Sequence, residues 1–283
     1  MIKHYKDPYL FDLRVKFING EPVELLQLPT YSFNPDNVQT IEEWIDLHHI
    51  DDEPKKVHKK KSDPNLISPV GARRAKSKLS DYIRCNPDMN YFVTLTLAPD
   101  EVDRYDYSAV IKRLNSWLGN RVKRNGLKYI LVPEHHKDGA IHFHGVCNDA
   151  LSLSFSGRYL RNGKAVTSRT GKKIYNIADF DLGYTTAIKI TGKNGTDAVA
   201  CYVKKYITKD FRKVGGRYYL HGGALTLPEY LYIRSDELDI SKRDLPYTCE
   251  FEIYDGATLR LAYGAELLTF LGLLKLPKYG NEV

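Results

Sequence analysis

Short runs of apolar residues, alternating or continuous and broken by turn residues, dominate this chain and predict strands. Residues 5–34 predict short strands around Asn19-Gly20, a dipeptide that favours tight hairpins. Met89–Leu97 predicts a core strand closed by Pro99. The apolar run Tyr129–Pro133 and the run Ala140–Cys147 predict a hairpin across Lys137-Asp138-Gly139, and Gly183–Ile190 a further strand. A helical repeat appears where Val110, Ile111, Leu114, Trp117, Leu118 and Val122 form one stripe between Asp106, which can cap, and Gly126, which stops it. Val199, Val203 and Ile207 recur every four residues and predict a helix over Asp197–Lys209, started by Gly195 and Thr196/Asp197. Ala72–Arg84 predicts a basic helix lying on the sheet or on a ligand. Strand, helix, hairpin, strand, helix is an α+β order with a central antiparallel sheet of about five strands, flanked by helices.

Both ends read as extensions of that centre. Residues 1–70 combine the strand pair with a polar, proline-bearing, basic and flexible stretch from 35 onward. Residues 71–228 form the expected central domain, with a basic hairpin insertion at about 151–180 signalled by Asn162-Gly163. Residues 229–283 are the C-terminal extension: β-formers over 229–266, then Leu267–Leu276 as a packed helix or an oligomer contact. That last stretch is the longest apolar one and is too short to span a bilayer; the polar N-terminus predicts no signal segment.

Charge narrows the class of partner. The 283 residues carry 42 Lys+Arg against 35 Asp+Glu, a net +7. Between Lys55 and Arg84 stand ten basic residues, Arg73 and Arg74 among them, against only Asp63 and Asp81. Residues 154–178 add Arg158, Arg161, Lys164, Arg169, Lys172 and Lys173 with no acidic residue. Phosphate neutralisation explains such clustering economically, and the 21 tyrosines and 10 phenylalanines permit base stacking. Cys85, Cys147, Cys201 and Cys249 are widely spaced, with no Cys-x-x-Cys, and read as reduced thiols of a cytoplasmic protein.

Two constellations carry chemistry. His142 and His144 flank Phe143 in a predicted strand, so both imidazoles share one face and offer half of a divalent-metal site. On the predicted helix, Tyr202, Lys205, Tyr206 and Lys209 fall on one arc of roughly 100° beside the buried stripe, while Lys204 lies off it. A phenol is a poor nucleophile at neutral pH. It becomes useful where a metal polarises a phosphoryl oxygen and a lysine stabilises charge. Attack on a DNA phosphodiester gives a 5′-phosphotyrosine and a free 3′-OH, and a second tyrosine one turn away could accept a second strand.

In order and spacing, Tyr91-Phe-Val-Thr-Leu-Thr-Leu97, Ile141-His-Phe-His-Gly145 and Tyr202-Val-Lys-Lys-Tyr-Ile-Thr-Lys209 resemble the three motifs of the HUH endonucleases. The resemblance covers roughly residues 75–230 and is nearest to rolling-circle replication initiators of small single-stranded DNA phages (microvirus-like) and plasmids. It implies a palm-like sheet and a metal-dependent, site-specific single-strand endonuclease and strand transferase. It further implies Mg²⁺ or Mn²⁺ on His142, His144 and Glu134, with His135 and His136 as alternatives to Glu134. Tyr202 would be the first nucleophile, from the family's Tyr-x-x-Lys pattern, Tyr206 the second and Lys205 the helper. Lys209, Arg158, Arg161, Lys172, Lys173, Arg73, Arg74 and Arg217 would hold DNA. Single-stranded DNA at a replication origin is the implied partner, in a bacterial cytoplasm. No Gly-x-x-x-x-Gly-Lys-[Ser/Thr] occurs, so host helicase and polymerase are expected to unwind and copy. Two other readings share these residues: a transposase or relaxase with the same apparatus, and a basic DNA-binding protein with a structural metal.

Overall fold

The computed structural model describes residues 10–34, 63, 65–157, 164–168, 171–191, 195–208, 212–238, 241–254 and 257–274. The basic run Lys55–Lys61, the Asn162-Gly163 turn with Arg158 and Arg161, and Lys209 lie outside them. In chain order the strands and helices are β1 (Leu10–Ile18), β2 (Glu21–Phe33), α1 (Pro69–Cys85), β3 (Tyr91–Leu97), α2 (Tyr107–Asn125), β4 (Tyr129–His135), β5 (Ile141–Cys147), β6 (Leu153–Phe155), β7 (Tyr175–Ile177), β8 (Gly183–Lys189), α3 (Gly195–Val203), β9 (Leu220–Gly222), β10 (Glu229–Ile233), β11 (Cys249–Tyr254), β12 (Ala257–Ala262) and α4 (Gly264–Leu273). Two compact units divide the chain, one of residues 1–59 with 228–283 and one of 60–227.

The first unit joins the two ends of the sequence in one antiparallel sheet, ordered β10-β1-β2-β12-β11. Asn19 and Gly20 both take positive φ, 52° and 80°, as the tight turn between β1 and β2 requires. Leu13, Val15, Leu25, Ile233 and Ala262 pack against Leu267 and Phe270 of α4. Asp12 is buried there, accepting hydrogen bonds from the Ser235 amide at 2.7 Å and Lys242 Nζ at 2.8 Å, so its charge is matched.

The second unit holds the candidate chemistry. Its antiparallel sheet runs β6-β7-β8-β3-β5-β4-β9, four seven-residue strands in the middle and three-residue strands outside. The expected five strands are therefore seven, because the insertion after β5 and the segment after α3 each contribute short edge pairs. Alternation decides the layers. Val93, Leu95, Leu131 and Phe143 face α2, meeting Val110, Leu114, Trp117 and Leu118. Ile130, Val132 and Val146 face the other way, against Ala75, Leu79 and Ile83 of α1 and Ala200 and Val203 of α3. Each fully buried large side chain contributes roughly 1.5–3 kcal/mol, enough to set the strand register.

Helix ends follow their caps. Asp106 accepts from the Ser108 amide at 2.8 Å, and Gly126 closes α2 in the left-handed region at φ 69°. Helix α1 begins earlier than expected, at Pro69, because Ser68 caps it and proline is favoured at the first position. Its basic residues Arg73 and Arg74 are exposed while its apolar face lies on the sheet. The tyrosine segment departs more. The α-helix stops at Val203; Lys204 still bonds Ala200 O, but Lys205 bonds Tyr202 O and Ile207 bonds Lys204 O, a tighter winding that makes Tyr206–Thr208 a 3-10 turn. No described helix is long and apolar enough to cross a membrane.

Candidate metal centre and tyrosine pair

Strand pairing builds the centre. In the β4–β5 hairpin, Glu134 stands opposite His142 and Val132 opposite His144, so the carboxylate and both imidazoles emerge on one sheet face. The Asp138 carboxylate fixes the turn, accepting from the Ala140 amide at 3.0 Å, from His136 at 3.2 Å and from Arg104 at 3.2 Å. Those partners, the Ala140 amide first, hold Asp138 below the usual carboxylate range. Gly145 permits the strands' close approach: a Cβ there would lie 1.9 Å from Ile130 O.

The donor atoms converge. His142 Nε2 and His144 Nε2 are 3.2 Å apart, and Glu134 Oε2 lies 3.7 Å from the first and 3.4 Å from the second. A triangle with these sides has a circumradius of about 2.0 Å, so one point stands at that distance from all three atoms. Metal–nitrogen and metal–oxygen bonds of divalent cations are about 2.0–2.2 Å. The geometry and the mixed donor set fit a divalent metal on Glu134, His142 and His144. Burial agrees, since Glu134 is only 2% exposed yet ends in a carboxylate. His135 and His136 are exposed beside the turn and outside that donor set, though the His136 ring meets His142 edge-on at 5.5 Å.

Thr94 on β3 stands opposite His144 and its hydroxyl lies 3.1 Å from His144 Nδ1, which leaves Nε2 directed at the shared point. Sequence reading missed Thr94, although alternation in Tyr91–Leu97 places it on the face opposite Val93 and Leu95.

The tyrosines overhang this centre. Tyr206 stacks on His144, with ring centroids 4.2 Å apart and planes at 20°. Tyr202 packs edge-on against Phe92 at 5.2 Å and is 44% exposed. The Tyr206 hydroxyl donates to the Tyr202 hydroxyl at 2.9 Å. Burial, then that hydrogen bond, then the Tyr202 and Glu134 charges, push the Tyr206 phenol well above the usual tyrosine range. Lys205 Nζ sits 5.6 Å from the Tyr202 ring centroid.

Two openings adjoin the centre. One, lined by Thr96, Arg104, His136, Asp138 and His142, lies at the turn end of β5. The other lies against Tyr206 and includes Arg212, Lys213, Arg217 and Tyr218. Arg217 is thus placed beside a tyrosine of the pair, and Arg212 and Lys213 join it unforeseen. Lys172 and Lys173 sit between β6 and β7, with β8 and β3 separating β7 from β5.

An α+β unit with two imidazoles and a carboxylate on an antiparallel sheet, overhung by two phenols, defines a candidate metal-assisted phosphoryl-transfer centre. Residues 90–211 match a family model of replication-associated proteins of the ORF2 type, a span containing Glu134, His142, His144, Tyr202 and Tyr206. The match supports a replication initiator role that involves DNA. No curated protein and no solved structure matches the chain.

Proposed function

We propose that the chain is an HUH-type, metal-dependent endonuclease and strand transferase that nicks and rejoins single-stranded DNA at a replication origin, starting and ending rolling-circle replication. One observation carries this reading: a phenol pair lies directly over a three-donor centre of metal-site dimensions. Glu134, His142 and His144 would hold Mg²⁺ or Mn²⁺, which when bound supplies polarisation of a phosphoryl oxygen.

The protein's own groups then divide the work. The Tyr202 oxygen attacks phosphorus, forming the 5′-phosphotyrosine, while the bond to the 3′-oxygen breaks and that oxygen takes a proton. Tyr206 donates a hydrogen bond to the oxygen on which negative charge develops. Lys205 adds positive charge beside the same ring. In a second cleavage Tyr206 is the nucleophile. Arg217 and the exposed Arg73 and Arg74 hold phosphates, with Lys172 and Lys173 further along the sheet. Arg158, Arg161 and Lys209 complete this set from outside the described residues. Host helicase and polymerase unwind and copy.

The test is covalent capture. Incubation with a random-sequence single-stranded DNA pool and Mn²⁺ should give a protein–DNA adduct whose attached strands share one 5′ sequence. Wild type that forms no adduct, or a Tyr202→Phe/Tyr206→Phe chain that still forms one, would overturn the proposal.

A further inference from the structure

The sheet register carries one consequence past the metal centre. Tyr184 on β8 stands opposite Thr96, Thr96 opposite His142, and His142 opposite Glu134. Side chains in such a cross-strand row share a face, so Tyr184 projects on the same side as the donor triad. Strands lie about 4.8 Å apart, which puts Tyr184 two spacings, or ~10 Å, from His142 between backbones. The row behind it runs Thr186–Thr94–His144, and the one behind that is where Phe92 and Val146 meet the α1 and α3 layer. Thr94, Thr96 and Thr186 stay partly exposed, and Tyr184 is 69% exposed, the most open large apolar or aromatic side chain among the described residues.

Its backbone is nonetheless pinned. Gly183 has φ 148°, and a Cβ there would meet Thr96 O at 2.3 Å and Ala98 N at 2.5 Å. Tyr184 is therefore an aromatic face held out to solvent on a fixed strand, in line with the triad. Packing supplies no reason for it.

We infer that Tyr184 stacks on the base of the nucleotide that carries the released 3′-hydroxyl, the one immediately 5′ of the nick. This rests on the nickase reading above. In an in-line displacement, attacking and leaving oxygens stand on opposite sides of phosphorus. The phenols approach from the His144 and Phe92 side, so the 3′-oxygen departs toward the row of Thr96, His142 and Tyr184. The opening lined by Thr96, Arg104 and His142 lies at that same end and offers a cation for the adjoining phosphate. Stacking on a tyrosine tolerates every base, so Tyr184 contributes affinity and phasing more than base choice.

Two probes separate this from the nickase reading. Fluorescence anisotropy with dT15 in EDTA measures stacking without cleavage. Tyr184→Ala should weaken binding on the order of tenfold, while Tyr184→Trp stays near wild type. Because the residue is exposed, neither variant should change the melting temperature. The second probe is the oligonucleotide recovered by covalent capture, with single abasic sites scanned along it. An abasic site immediately 5′ of the nick should cost wild type about tenfold and Tyr184→Ala almost nothing further. Equal dT15 affinity in Tyr184→Ala, or an abasic penalty undiminished in that variant, overturns the inference even where adducts form. Wild type that forms no adduct but loses dT15 affinity on Tyr184→Ala sinks the nickase reading, and the nucleotide assignment with it.

Discussion

The Tyr206 ring lies nearly parallel to the His144 ring, 4.2 Å away, while its hydroxyl donates to Tyr202. Stacking on a metal-ligand candidate leaves Tyr206 partly buried and Tyr202 open, so the two phenols are chemically unequal. One is placed to attack and the other to donate.

That inequality predicts different variants. Tyr202→Phe should abolish the first adduct, whereas Tyr206→Phe, which removes a single donor, should slow it on the order of 100-fold. Single-turnover cleavage of the captured oligonucleotide checks this; equal rates in wild type and Tyr206→Phe would refute the donor role.

The proton on Tyr206 also sets a pH window. A raised folded-state value means the folded chain keeps this proton where the unfolded chain loses it. Its stabilising contribution is therefore complete below about pH 10 and is lost as pH rises through the folded value. Ultraviolet difference titration of wild type against Tyr206→Phe should find one tyrosine ionising above the ordinary range. A Tyr206 midpoint at or below that range would contradict the burial argument.

Metal removal should silence the centre without unfolding the chain, because the two apolar layers on the sheet do not include the triad. With EDTA, adduct formation should cease and the circular dichroism spectrum persist, unlike a domain folded by its metal. Thr94→Val removes the partner of His144 Nδ1 and should weaken Mn²⁺ binding by about 10- to 100-fold in calorimetry. Unchanged affinity would mean that the hydroxyl does not orient the ring.

Gly145→Ala drives a methyl group into the Ile130 carbonyl, a backbone atom that cannot rotate away. Destabilisation of at least ~3 kcal/mol is expected, near the upper end for overpacking. A thermal melt lowered by roughly 10 °C would agree with that. A wild-type melting temperature would show that β4 can withdraw from β5.

Thiol labelling should be ordered. Cys201 is exposed and should react first with iodoacetamide, whereas Cys85 and Cys147 are buried. Burial, with a smaller contribution from Asp149, pushes the Cys147 thiol up to about 12, so it should resist labelling until the chain unfolds. Peptide mass mapping across a denaturant series distinguishes the two classes.

Much of the second unit was legible because it depends on local rules. Asp106 and Gly126 bound α2 as cap chemistry requires, and alternation placed His142 and His144 on one face. The Lys137-Asp138-Gly139 turn fixed which strands pair and so brought Glu134 opposite His142. Periodicity misjudged the end of α3, because an apolar stripe continues through Ile207 whether hydrogen bonds run to the fourth residue or the third. Edge strands β6, β7 and β9 are too short for a pattern of period two to register.

What the sequence determined by itself was the chemistry available: two imidazoles on one strand face, two phenols four residues apart, and excess positive charge. Tertiary structure alone decided that residues from β3, β4, β5 and the segment after α3 meet, that Tyr184 shares their face, and that both ends of the chain build one sheet. Local composition encodes how a segment winds. Which distant segments touch depends on how the apolar faces of all strands and helices are buried together, and no single stretch of sequence contains that information.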